Sequence, residues 1–144
     1  MDRLDLAIHI ARSAHDGQKD KMGLPYFEHC RRVAERIIDP DAKIVAYLHD
    51  VVEKGPGWTV GRIQAEGFPA RITDAVDALT RRKSEGWADF VYRAARNGLA
   101  RPVKHADLED NLVLSQRIGA DDHKYREGLR ILDNIASAGT HATE

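Results

Sequence analysis

The sequence predicts an all-α fold: a single helical bundle of about seven or eight helices joined by short connections. Two observations predict it. Apolar residues recur at helical spacing in segment after segment, and no stretch alternates apolar and polar residues as a half-buried strand would. Glycine or proline also marks most of the boundaries between the periodic segments. The chain has 144 residues, enough for one domain with its own core, here placed over residues 1–137 with a frayed tail over 138–144.

The elements follow in order. Leu4, Ile8, Ala11 and His15 mark one face of a first helix from about Arg3 to Asp16, which Gly17 stops. Residues 18–25 are polar, contain Gly23 and Pro25, and form a loop. Phe27, Cys30, Ala34 and Ile37 carry a second helix that ends before Asp39-Pro40. A third helix is expected over 41–53, closed by Gly55-Pro56-Gly57. Thr59 caps a short helix to Glu66, and Pro69 opens the next, with Ile72, Ala75, Val76 and Leu79 inward. Arg81-Arg82-Lys83 is a basic turn. Ser84 is expected to cap a helix bearing Trp87, Phe90, Val91 and Ala94, and Asn97-Gly98 to end it. Pro102 opens a helix over 103–116, and Asp121 caps the last, with Leu129, Leu132 and Ile135 inward.

Composition narrows the function. The 22 basic and 23 acidic residues leave a net charge of −1, which argues against a general nucleic-acid binder while permitting a local basic pocket. No apolar run is long enough to span a membrane, and the N-terminus lacks the pattern of a signal peptide. The lone Cys30 rules out a disulfide framework within the chain and suits a cytoplasmic protein. Nothing in the sequence sets the oligomeric state.

The third helix draws attention because it places His49-Asp50 inside an apolar run, from Ile44 to Val52. Buried ionisable groups are costly unless paired or bound to metal. The doublet alone suits a satisfied core histidine beside a paired aspartate as well as it suits metal ligands. Two further features weigh on the choice. Glu53 follows His49 by four residues and Asp50 by three, which on a helix places a carboxylate beside the doublet. Asp107 and Asn111 stand one turn apart on a later helix and offer an oxygen ligand and a polar anchor, although such acidic runs are more often solvated faces.

These motifs, in this order, resemble the HD-superfamily metal-dependent phosphohydrolases, and within them the small alarmone hydrolases related to the hydrolase domain of RelA/SpoT proteins. The resemblance runs from Ala7 to about Tyr125 through AHDGQ at 14–18, LPYFEH at 24–29, AYLHDVVE at 46–53, DALT at 77–80 and VKHADLEDN at 103–111. It implies a divalent ion, Mn²⁺ or similar, held by His29, His49, Asp50 and Asp107. It implies that Glu53 serves water activation and that Asn111 lies near the reacting groups. Lys21 falls where the family has a basic residue against the substrate, and Tyr125 stands for a tyrosine that contacts the nucleotide. Lys54, Arg81, Arg82 and Lys83 are further candidates for phosphate, with a solvated turn as the plainer reading of the last three. His15 reads as a core residue or one supporting the site, and Cys30 as a small core residue. The implied activity is hydrolysis of a phosphorylated nucleotide, with the 3′-pyrophosphate of (p)ppGpp foremost. Another nucleotide phosphate, or a non-catalytic nucleotide-binding domain, is the alternative. The sequence departs from the family pattern at two places: Glu53-Lys54 replaces the usual Glu-Asp, and Asp20 stands where an arginine is common.

Overall fold

In the computed structural model nine helical segments are described: α1 Arg3–Ala14, α2 Tyr26–Glu35, α3 Pro40–Leu48, α4 Val51–Lys54, α5 Val60–Ala65, α6 Ala70–Ala78, α7 Trp87–Ala95, α8 Ala100–Arg117 and α9 His123–Ala142. The structure describes the backbone of residues 1–142 and the side chains of residues 1–137. The tail expected over 138–144 therefore lies outside the residues described in full. Among the described residues there is no β-strand, only one isolated bridge between Lys19 and Pro25 that pinches the loop after α1. No described helix is long and apolar enough to cross a membrane.

Helix α3 is the centre of the bundle. Its short, apolar sequence leaves Val45, Ala46 and Leu48 with no exposed surface, and it packs against α1, α2, α6 and α8. Asp39 starts it by accepting the Ala42 backbone N–H at 2.9 Å, with Pro40 in the first turn, where a missing N–H costs nothing. A second cluster, with Val91, Ala95, Leu108, Tyr125, Ile131 and Leu132, joins α7, α8 and α9. Gly128 permits that contact, since a Cβ there would lie 2.9 Å from Leu108 Cδ1.

Four local expectations need correction. The helix expected over 41–53 is interrupted at His49-Asp50, so α3 and α4 are separate segments. Ser84 caps nothing, because the turn after α6 runs on to Gly86, which holds the cap position of α7. Pro102 lies within the first turn of α8, which begins two residues earlier. Asn97 organises that start, its side-chain oxygen accepting the N–H groups of Leu99 and Ala100, both at 3.0 Å. Finally, Asp121 accepts the His123 N–H at 3.0 Å, but the first helical hydrogen bonds of α9 run to the Asp122 carbonyl.

Candidate metal centre and active site

The break between α3 and α4 creates the site. Asp50 leaves helical geometry, with φ −108° and ψ 2°. His49 Nδ1 lies 2.6 Å from the Ala46 carbonyl and donates to it. That bond places the ring proton on Nδ1 and turns Nε2 toward Asp50 Oδ2, at 3.0 Å, and Asp107 Oδ1, at 3.5 Å. Nε2 is fully buried yet makes no hydrogen bond of acceptable geometry. A buried nitrogen aimed between two carboxylates without a partner is what a metal ligand looks like before the ion is added.

His29 arrives from α2, one turn after Pro25 opens that helix. Its Nε2 lies 2.9 Å from Asp107 Oδ1 and 3.8 Å from Asp50 Oδ2, while its Nδ1 lies 2.7 Å from Asp110 Oδ2. Asp107 projects from α8, where Asn111 Nδ2 donates to its Oδ1 at 3.0 Å and Lys104 Nζ to its Oδ2 at 3.2 Å. Tyr26 Oη donates to Asp50 Oδ2 at 2.5 Å. One ligand atom from each of His29, His49, Asp50 and Asp107 lies within 4.8 Å of the others. Two imidazole nitrogens and two carboxylate oxygens without a thiolate suit a divalent ion of intermediate hardness.

The electrostatics fit the same reading. Burial disfavours the charged form of His49, but the Asp50 and Asp107 carboxylates outweigh it and raise its pKa well above the ordinary histidine value. Burial likewise opposes ionisation of Asp50 and Asp107. For Asp50 the His49 ring prevails, and for Asp107 the Lys104 ammonium does, so both carboxyls stay ionised. Without an ion, protons on the rings balance the carboxylates, and an ion would displace them. Burial, then Asp50, pushes the Tyr26 hydroxyl far up, so it remains a donor.

Above this floor opens a cavity of about 290 Å³. Lys19, Lys21, Lys54, Arg81, Lys104 and Lys124 supply positive charge around it, and Tyr26, Trp87, Phe90 and Tyr125 supply aromatic surface. Glu53 stands at its exposed rim. Partial desolvation, then the Asp50 carboxylate, raises its pKa above the usual glutamate value. The helix break means that Glu53 reaches the cavity from a new helical start and not along one continuous face with His49. Lys54 does not turn back to Asp50; its ammonium lies 4.9 Å from the centre of the Tyr26 ring. Lys21 crosses the mouth, donating to Ser115 Oγ at 3.2 Å and to Tyr125 Oη, with its ammonium 3.9 Å from the centre of the Tyr125 ring.

The basic turn divides. Arg81 lines the cavity, whereas Arg82 and Lys83 do not. Arg82 is drawn outward into a pair with Asp77 at 2.9 Å. The cause is Arg93 on α7, which donates to the carbonyls of Asp77 and Thr80 and to both oxygens of Glu85, and so holds the turn in one shape. Lys83, a candidate substrate contact from the sequence, is not among the residues that line the cavity.

Several residues at the site were not singled out from the sequence. Tyr26 and Lys104 sit inside motifs that were, beside His29 and Asp107. Asp110 looked like one more acid on a solvated face but is buried. Trp87 and Phe90 read as core residues at helical spacing, and Lys124 had no signal. The AHDGQ motif has a supporting role. His15 Nδ1 meets Gln18 Oε1 at 2.9 Å, and Gln18 Nε2 donates to the Lys54 carbonyl at 2.8 Å, which ties the first loop to the end of α4. Gly55 lets the chain pass there, since a Cβ would lie 2.9 Å from Ala14 Cβ and 2.5 Å from the Val51 carbonyl oxygen.

No protein-family model matches the chain. It is 38% identical over 76 residues to a guanosine-3′,5′-bis(diphosphate) 3′-pyrophosphohydrolase of Haemophilus influenzae, across 50% of this chain and 11% of that protein. It is 28% identical over 128 residues to the bifunctional (p)ppGpp synthase/hydrolase SpoT of Escherichia coli, across 86% of this chain and 18% of that protein. A solved structure of a metazoan orthologue of SpoT superposes with a TM-score of 0.72 at 22% identity, covering 92% of this chain and 84% of the other. The chain is thus similar in sequence to part of these (p)ppGpp hydrolases and shares the fold of the metazoan SpoT orthologue. It spans less than a fifth of the length of the curated relatives it matches. The shared fold covers almost all of this chain, and the similarity to SpoT extends over most of the sequence that carries the site.

Proposed function

We propose that this chain is a metal-dependent phosphohydrolase that releases the 3′-pyrophosphate of (p)ppGpp, with Mn²⁺ held by His29, His49, Asp50 and Asp107. The observation that carries the reading is the convergence of those four side chains at the floor of a cavity rimmed by lysines, with Glu53 at its edge. The named activity of the relatives supports it.

A divalent ion at the floor would neutralise phosphoryl charge and increase the acidity of water. The chain's own residues do the rest. Lys21, Lys54 and Arg81 offset the charge of the pyrophosphate, and Lys104 holds Asp107 ionised. Glu53 takes the proton of the attacking water, and its raised pKa brings it nearer the pH at which such a base works best. The new P–O bond forms as the bond from phosphorus to the 3′-oxygen breaks, and that oxygen takes a proton from solvent, leaving a free 3′-hydroxyl and pyrophosphate. Asn111 keeps Asp107 in place, and Tyr125 and Trp87 offer aromatic surface to the base. The substrate is a free nucleotide, and the buried thiol of Cys30 accords with a cytoplasmic setting.

Lys54, in place of an acid, favours a second reading in which the preferred substrate is a different phosphorylated nucleotide or the domain binds without hydrolysing. Both readings are separated by incubating the protein with Mn²⁺ and a panel of ppGpp, pppGpp and nucleotide 2′- and 3′-phosphates. Pyrophosphate released from the first two is expected. Orthophosphate from the simple monophosphates alone would move the substrate, and no product beside tight ppGpp binding would make the domain a sensor.

A further inference from the structure

We infer that Asp110 is a positioning residue for the metal centre, and that through Arg32 and Asp20 it couples the centre to the loop bearing Lys21. The inference rests on the reading of His29 as a metal ligand. Asp110 Oδ2 accepts from His29 Nδ1 at 2.7 Å, which selects the tautomer whose Nε2 lone pair faces Asp107 and Asp50. A histidine ligand needs such a partner on its other nitrogen to fix its ring and raise its basicity. Asp110 is in turn held by Arg32, whose Nε donates to Oδ1 at 2.9 Å and whose Nη2 donates to Oδ2 at 3.2 Å.

The same Nη2 reaches Asp20 Oδ2 at 3.2 Å. Asp20 is no free surface acid. Its side chain is 2% exposed, and its Oδ1 accepts the backbone N–H groups of Met22 and Leu24. Asp20 thus folds the loop around Lys21 and presents its other oxygen to Arg32. A line of charge-assisted hydrogen bonds runs from that loop to the ring that faces the ion. Asp20 has a structural role of its own: it ties the loop to α2.

Mn²⁺ affinity, read from the EPR signal of free Mn²⁺ on titrating the EDTA-stripped protein, tests this without any turnover. Asp110→Ala is expected to bind the ion roughly 10–100-fold more weakly than wild type. Arg32→Met keeps the Asp110–His29 bond and removes its anchor, and is expected to lose less in the same direction. In the metal-free protein, the downfield His29 Nδ1–H proton resonance of wild type should vanish in Asp110→Ala, a change that general loosening would not confine to one ring. Wild-type affinity in Asp110→Ala overturns the inference and leaves the metal site standing. If that variant fails to fold, unchanged affinity in Arg32→Met overturns it instead. A wild type that binds no Mn²⁺ removes the metal-site reading and this inference with it.

Discussion

Asp107→Asn should destabilise the protein even with no metal present, because Asp107 is the counter-ion of a buried lysine. Lys104 is 5% exposed, and its ammonium lies 3.2 Å from Asp107 Oδ2. Removing one partner of a buried pair costs about 3–5 kcal/mol, mostly for the charge left behind. Part of that is recovered here, since the ammonium also sits 4.4 Å from the Phe90 ring centre and 4.9 Å from that of Trp87. Such contacts are worth about 0.5–2 kcal/mol; subtracting them from about 3–5 leaves about 1–4.5 kcal/mol, and the middle of that span, about 2–3 kcal/mol, is expected. At about 2–4 °C per kcal/mol for a chain near this size, the midpoint should fall by about 4–12 °C. The assay is thermal unfolding by circular dichroism in EDTA, with Lys104→Met and the double variant completing a cycle. The double variant should recover most of the loss, because an apolar side chain of similar length can take the place of the lysine. A metal-free Asp107→Asn protein that melts with wild type, or a double variant no better than the single, would refute the buried-pair argument.

Three other outcomes are expected. Glu53→Gln should retain the ion by elemental analysis and lose roughly 10²–10⁴-fold in rate; the acid limb of kcat/KM in wild type should lie above the ordinary glutamate range, since the base is lost as pH falls through a raised pKa, and that limb should be absent from the variant. Lys54→Asp should raise pyrophosphate release from ppGpp if substrate preference has shifted away from alarmones and change it little otherwise, measured at equal metal loading. The Glu85–Arg93 pair should stabilise the protein in a pH-dependent way: Arg93 lowers the Glu85 pKa to about 2, so the contribution is complete above the unfolded glutamate value and lost as pH falls toward 2. The gap in unfolding midpoint between wild type and Glu85→Gln, followed from pH 7 downward, should therefore close across that window; a constant gap would remove the electrostatic explanation.

Helical periodicity was enough to read the fold class and most element positions, because each amphipathic face is a local property of the chain. The break at His49 was not legible. It depends on a side chain taking the Ala46 carbonyl and on carboxylates contributed by α8, and the local sequence there reads as continuous helix. The start of α7 was misplaced because Ser84 is a good cap by type, yet Arg93, contacting Asp77, Thr80 and Glu85, dictates the shape of the turn. Of the four residues gathered at the cavity floor, His49 and Asp50 stood out because ionisable groups in an apolar run are costly without a partner, Asp107 stood out by its spacing to Asn111, and His29 was marked as a ligand only by the family resemblance. Asp110 and Lys104 did not, since an acid or a base on a charged helix usually faces water, and only the packing of α2 and α7 against α8 shows that these do not.

The central claim is that the His29, His49, Asp50 and Asp107 centre turns over an alarmone pyrophosphate. Its most direct test is pyrophosphate release from ppGpp by the metal-stripped protein as Mn²⁺ is added back, with Asp107→Ala run in parallel. Release is expected to rise with bound metal and saturate at one ion per chain, with neither bound ion nor release in Asp107→Ala. Full Mn²⁺ occupancy of the wild type with no pyrophosphate released, or full occupancy in Asp107→Ala, would contradict it.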